Sequence, residues 1–248
     1  MGLQELSFIV LDPSTSLTKA LTSALDEHVP DSMRDRITVI NKKLSDLEPP
    51  QSHFDCIVSP ANSYGRLDGG FDLVISRALA PKDDIDAITR IAQSVLYSRW
   101  KGYAPPGTCT MVPLQATVCG NNPHKCAYIA LVPTMRVPEE VTWNREIVYN
   151  CVWSLLNALT QHNESAEEGA DQISTVLMTG LGTGVGYISP EVFAKQTALA
   201  FKHFLDSETN PDKWSSLQWH DADAYSREVA ETYTQQENKA RWFSGFQK

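Results

Sequence analysis

Short apolar runs alternate along this chain with stretches whose apolar residues recur every three or four positions. That alternation of strand and helix signals is the pattern of an α/β sandwich. The runs predict strands at Leu6–Leu11, Ile37–Asn41, Asp55–Ser59, Cys109–Val118, Ala127–Val132 and Ile173–Met178. They are short and rich in Val and Ile, as strands covered on both faces are. Helical spacing is clearest in two stripes: Ile85, Ile88, Ala92, Val95 and Leu96, then Ile147, Val148, Cys151, Val152, Leu155 and Leu159. A third helix opens at Ser189-Pro190-Glu191, where Ser suits the N-cap, Pro the first helical position and Glu the positive helix end. Lys101–Gly107 and the acidic, polar Ser165–Asp171 read as connectors.

After Phe204 the pattern changes. Asp206–Lys213 is a polar turn region, and the tail to Lys248 is charged yet carries Trp214, Trp219, Tyr225, Tyr233, Trp242 and Phe243. So many aromatics argue against simple disorder. The expected organisation is one domain over residues 1–206 with an aromatic-rich, partly helical extension, 207–248, docked on it.

Composition narrows the chemistry. A chain of 248 residues with 42% apolar content buries a sizeable core without staples. Its formal net charge of −9 argues against direct binding of nucleic acid, which wants a Lys/Arg face. A small anion is not excluded, because backbone N–H groups and helix N-termini hold anions without adding formal charge. The five cysteines are odd in number and include no CxxC, so reduced, buried thiols are expected rather than a disulfide framework or a metal site. The one early apolar run, Phe8–Leu11, lacks a basic leader and is followed at once by Asp12. It reads as neither a signal peptide nor a membrane span. An intracellular, cytoplasmic or nuclear protein without membrane contact is the expectation.

Two loops concentrate the candidate chemistry. The first, Ser59-Pro60-Ala61-Asn62-Ser63-Tyr64-Gly65-Arg66-Leu67-Asp68-Gly69-Gly70-Phe71-Asp72, follows a buried strand and leads into a helical run from Leu73 to Leu79. Paired glycines at a helix start present free amides and the positive end of the dipole to an anion. The second, Gly180-Leu181-Gly182-Thr183-Gly184-Val185-Gly186-Tyr187, also joins a strand to a helix. Two such loops at strand C-terminal ends, where α/β sheets bind ligands, fit a diphosphate. A Rossmann fingerprint fails, since counting from Gly180 or Gly182 the third glycine would fall at Val185 or Tyr187. A P-loop fails because no Gly-Lys-Ser/Thr follows.

The stretch Ile57-Val58-Ser59-Pro60-Ala61-Asn62-Ser63-Tyr64-Gly65, with Leu67, Gly69 and Gly70, resembles the strand, turn and glycine run of the macrodomain signature. Leu181–Gly186, with Pro190 opening the next helix, resembles that family's second loop, and Gly107-Thr108 with Tyr128–Pro133 is similar to its central strands. Ser59-Pro60 and Gly69-Gly70-Phe71-Asp72 look most like a fungal macrodomain-like subfamily, a likeness that implies ADP-ribose 1″-phosphate phosphatase as one candidate activity.

The resemblance implies a three-layer α/β/α fold with a mixed, mostly parallel sheet. It implies ADP-ribose or a derivative as ligand, an ADP-ribosylated protein as a further partner, and no cofactor or metal. Pro60, Ala61, Asn62, Gly69, Gly70 and Phe71 would then line the diphosphate and distal ribose, with the Asn62 side chain facing that ribose. Leu181, Gly182, Thr183, Gly184, Val185 and Gly186 would wrap the diphosphate, with Tyr187 near the distal ribose. Asn62 and Asp72 are the implied catalytic pair of a hydrolase, Asp72 activating a water aimed at C1″. The alternative is a reader that binds without turnover. At two positions the chain departs from the family: Asp68 replaces a usual glycine, and Lys43 stands where an acid usually holds the adenine amino group. Asp12 can substitute for that acid, or can cap a helix with Pro13 at its first position.

Overall fold

The computed structural model describes residues 2–166 and 172–244, with side chains through residue 233. Residues 167–171 of the acidic connector thus lie outside the described residues, as do the side chains of Trp242 and Phe243. Among the described residues the strands are β1 (Ser7–Leu11), β2 (Ile37–Ile40), β3 (Cys56–Ser59), β4 (Thr110–Pro113), β5 (Tyr128–Leu131) and β6 (Thr175–Met178). They form a single sheet in the order β2-β1-β6-β3-β5-β4. All neighbours run parallel except β4, which is antiparallel to β5. The helices are α1 (Thr15–His28), α2 (Asp31–Arg34), α3 (Gly70–Leu79), α4 (Ala87–Trp100), α5 (Ile147–Ser165), α6 (Pro190–Thr209), α7 (Pro211–Trp214) and α8 (Trp219–Ser244).

Each strand alternates its side chains between two apolar layers. Phe8, Val10, Cys56, Val58 and Val176 pack with α1, α5 and α6. Ile9, Leu11, Ile57, Ile129 and Leu177 pack with α3 and α4. Helices on both faces of a mostly parallel sheet make the three-layer α/β/α architecture, and explain why the strands are apolar on both sides. Phe8 meets Phe201 of α6 edge-on at 4.9 Å, a ring geometry that adds to simple burial.

Two sequence expectations are corrected here. The strand read over Cys109–Val118 is only Thr110–Pro113. Pro113 has no N–H for the ladder, and the chain turns directly after it, with the Thr117 N–H donating to Leu114 O at 2.9 Å. Leu114 and Cys119 are nevertheless buried, which gives the turn its strand-like apolar pattern. Ile85 is exposed and precedes α4 rather than heading its stripe. All five cysteines are free thiols, and burial pushes those of Cys126 and Cys151 up to about 12.

The C-terminal segment packs on α5 and α6. Trp214 stacks on Trp153 with ring centroids 5.4 Å apart and meets Tyr225 at 4.6 Å. The Asp206 carboxylate accepts hydrogen bonds from Tyr225 Oη (2.5 Å) and Trp214 Nε1 (2.8 Å), and Gln196 Nε2 donates to Thr232 Oγ1 at 2.9 Å. Among the described residues no helix is long and apolar enough to cross a membrane.

Candidate functional site

Three chain segments leave the C-terminal ends of β1, β3 and β6 side by side, and each runs toward a helix. Two of those helices are closed by their own serines: Ser14 Oγ accepts from the Leu17 N–H at the start of α1, and Ser189 Oγ from the Val192 N–H at the start of α6. The third helix, α3, whose N-cap is Gly69, starts with no side-chain cap. Its first amides, those of Gly70, Phe71 and Asp72, donate to no acceptor among the described residues. An open helix start of this kind carries unpaired donors and partial positive charge. Gly70 makes the geometry attainable, since its φ of +54° lies in the left-handed region that a side chain disfavours.

The second loop reaches the same result by different means. Its ends are pinned by Ile188 N–H to Gly182 O (3.1 Å), Tyr187 N–H to Gly184 O (3.0 Å) and Val141 N–H to Gly186 O (3.1 Å). These bonds use carbonyls, while the N–H groups of Gly182, Thr183, Gly184, Val185 and Gly186 find no acceptor among the described residues. A Cβ on Gly186 would stand 2.5 Å from Gly182 O, so only glycine permits this fold of the loop. At Gly184 a Cβ would meet nothing within 4 Å.

Both loops line one cleft of about 400 Å³, within the usual range for a small-molecule site. Of the residues singled out from the sequence, it gathers Asp12, Pro60, Asn62, Gly69, Gly70, Phe71, Asp72, Gly182, Thr183, Gly184, Val185 and Gly186. Three others lie outside its lining: Ala61 and Leu181 are buried in the core, and Tyr187 is 72% exposed. A slightly larger groove, about 460 Å³, runs past Trp100, Met111 and His162 at the open edge of β4, but it gathers neither glycine loop.

The polar side chains divide the work. The Asn62 amide is engaged by its own loop: Nδ2 donates to Arg66 O at 2.7 Å, and Oδ1 accepts from the N–H groups of Tyr64 (3.1 Å) and Arg66 (3.4 Å). It shapes the turn while lining the cleft. Asp68 is paired with Arg66, whose Nε and Nη2 reach its Oδ2 at 2.8 and 2.5 Å. Asp12 does not cap α1; Ser14 does. Instead Asp12 Oδ1 accepts from the Ser14 N–H at 2.8 Å and Oδ2 from Thr179 Oγ1 at 3.2 Å, which fixes the carboxylate in the wall of the cleft. Lys43 is exposed and outside the lining.

Asp72 is the unusual acid. It sits in the first turn of α3, 7% exposed, and Ser59 Oγ donates to its Oδ1 at 2.7 Å from the end of β3. Its Oδ2 makes no hydrogen bond among the described residues. Burial pushes the carboxyl up to about 7, against the pull of the Ser59 hydrogen bond and with a further push from Asp68. Ser59 is fully buried, so its hydroxyl serves this carboxyl alone. Replacing Ser59 by Ala is therefore expected to raise the Asp72 midpoint by roughly one pH unit, the worth of one charge-assisted hydrogen bond. Carboxyl carbon shifts followed through a pH titration read this directly, and an unmoved midpoint would show the bond to be absent in solution.

Sequence reasoning did not reach Thr134, Met135, Pro138 and Thr179, which complete the wall. The signal was Pro133 closing the β5 run: residues just past a parallel strand's C-terminal end belong to the same rim. There the chains after β3 and β5 stay paired, with Thr134 N–H to Ala61 O at 3.0 Å and a bridge between Asn62 and Met135.

Among solved structures the chain is similar to macrodomain structures from Oceanobacillus iheyensis. A mutant of that protein is 18% identical, with 62% of this chain and 70% of that one covered at a TM-score of 0.44. The form with ADP is 15% identical, covering 64% and 88% at 0.42, and a second mutant with ADPR is 14% identical, covering 64% and 90% at 0.43. The sequence profile described as the macro-like domain matches residues 20–215, about four fifths of the chain. A match of that extent spans both glycine loops and all strands but the first, and the chain belongs to the macro-like domain family.

Proposed function

We propose that this protein binds ADP-ribose and hydrolyses a derivative of it at the distal ribose, with Asp72 as general base. One observation carries the reading: two independent sets of unpaired main-chain amides, those opening α3 and those of Gly182–Gly186, line a single cleft. Amides left without acceptors are costly unless water or a ligand completes them. Two to four charge-assisted bonds of ~1.5–3 kcal/mol each sum to about 3–12 kcal/mol, the scale of the ~8 kcal/mol of a micromolar complex. The cleft lining holds three carboxylates, Asp12, Asp68 and Asp72, and the cation Arg66, so binding of an anion depends on these dipoles rather than on net charge. Membership of the macro-like family and the resemblance of both loops single out ADP-ribose among diphosphate ligands.

For turnover, Asp72 has the attributes of a base at neutral pH. Its carboxyl is pushed up to about 7, one oxygen is fixed by Ser59, and the other is unengaged. The substrate is a 1″-phosphate or an ADP-ribosyl ester. A second reading, a reader that binds without turnover, is favoured by the engagement of the Asn62 amide with its own loop. Calorimetry with ADP-ribose, ADP and NAD side by side, followed by a hydrolysis assay on phosphorylated and protein-linked ADP-ribose, separates the cases. Micromolar binding of ADP-ribose with turnover is expected. Binding without turnover on any of these esters would establish the reader, and no heat at millimolar ADP-ribose would overturn both.

A further inference from the structure

Among the described residues, buried side-chain oxygens without a hydrogen-bond partner occur at Thr134 and Thr197. A buried hydroxyl left unpaired destabilises the fold, so each needs a reason. Thr197 lies inside α6, away from the cleft. Thr134 is 1% exposed and belongs to the cleft wall. Its backbone is fixed by the N–H bond to Ala61 O, which holds the side chain level with the start of the first glycine loop.

We propose that Thr134 is a ligand-binding residue, and that its hydroxyl is reserved for a sugar hydroxyl of the bound nucleotide. The assignment rests on the reading of the cleft as an ADP-ribose site and specifies which sugar Thr134 meets: the second one, which ADP lacks. Phosphates are served elsewhere, by the amides of the two glycine loops, to neither of which Thr134 belongs. Thr134 shares the cleft wall with Pro60 and Met135, and its N–H bond to Ala61 O sets it beside the Asn62–Met135 bridge. Pro60 and Met135 offer a phosphate no side-chain donor, whereas a sugar can pack its carbons on such a wall and present a hydroxyl to Thr134. A threonine hydroxyl both donates and accepts, as a sugar hydroxyl does, so either can supply the proton. Rotation about χ1 exchanges the hydroxyl with the methyl and turns the oxygen toward an arriving partner without moving the main chain.

Thr134→Val keeps the shape and removes only the polar atom, and Thr197→Val does the same outside the cleft. Both are expected to melt at or above the wild-type temperature, since each deletes an unpaired buried hydroxyl. Only Thr134→Val is expected to weaken ADP-ribose, by about tenfold, while leaving ADP, which lacks the second sugar, within twofold of wild type. Thr134→Ser restores the hydroxyl and is expected to recover ADP-ribose affinity to within threefold. Should Thr134→Val fail to fold, Thr134→Ala carries the same comparison. Equal affinity of wild type and Thr134→Val for ADP-ribose would overturn the assignment, as would equal losses for ADP and ADP-ribose. If wild type binds neither nucleotide, the reading of the cleft itself fails, an outcome recognisable before any variant is made.

Discussion

Gly184→Glu is expected to weaken ADP-ribose binding about 1,000-fold while melting within about 2 °C of wild type. The position combines two properties. A Cβ there meets nothing within 4 Å, and its φ is not in the left-handed range, so the folded chain accepts a side chain without strain. The same open space is the cleft, into which Gly184 contributes an unpaired amide. A carboxylate about 4 Å from one phosphate costs roughly 4 kcal/mol at an effective dielectric constant of 20, which alone is about three powers of ten in affinity. Calorimetry and a melting curve on the same sample test both halves. Gly186→Ala is the contrasting substitution, because its Cβ would collide with Gly182 O at 2.5 Å and distort the loop before any ligand arrives. Unchanged affinity of Gly184→Glu would remove the second loop from the binding site.

Asp72→Asn is expected to lower hydrolysis by about 10²- to 10⁴-fold, the usual contribution of a general base, while retaining or improving ADP-ribose affinity at pH 8. The amide keeps the acceptor for Ser59 Oγ and removes the proton-accepting group. Stability gives an independent readout. The folded-state value of about 7 lies above the ordinary 3.8, so between these limits the native protein binds the proton more tightly than the unfolded chain. By linkage this group lowers stability progressively as pH rises from about 4 to 7, and the cost is fully present above pH 7. Asn carries no such cost. The variant is expected to match wild type near pH 4 and to exceed it above pH 7 by about 2–4 kcal/mol, or about 5–15 °C in melting temperature for a chain of this size. A difference in melting temperature that is flat across pH 4–8 would refute the buried, proton-holding state of Asp72.

Much of this arrangement was legible in the residues. Val/Ile runs located the inner strands closely, because strands covered on both faces have no polar alternation to blur them, whereas at the sheet edge the reading of β4 overran its end at Pro113. The glycine loops announced the cleft, since few other residue types leave amides open on a curved backbone. What stayed hidden had physical causes of three kinds. Asp12-Pro13-Ser14 offers two capping residues in a row, and only the backbone direction after β1 decides for Ser14. Asn62 reads as either a turn former or a ligand contact; the structure has it bonding within the turn while standing in the wall, a double role that no pattern expresses. Thr134 and Met135 enter the cleft only because β5 lies beside β3, a neighbour relation set by topology rather than by distance along the chain. The partner of Asp72 is of the same kind: Ser59 precedes it by thirteen positions, and no helix or strand period links the two.

The place of β6 has a consequence for how the protein is made. Among the described strands the last along the chain, β6, lies between β1 and β3, near the middle of the sheet. Until residues 175–178 leave the ribosome, the nascent chain can assemble only two separate ribbons, β2-β1 and β3-β5-β4, each with a bare flank waiting for the same missing piece. Such flanks are templates for pairing with other chains. Until β6 arrives the two ribbons are adhesive, and yields from the cell should depend on chaperone supply and growth temperature more steeply than the stability of the finished domain would suggest.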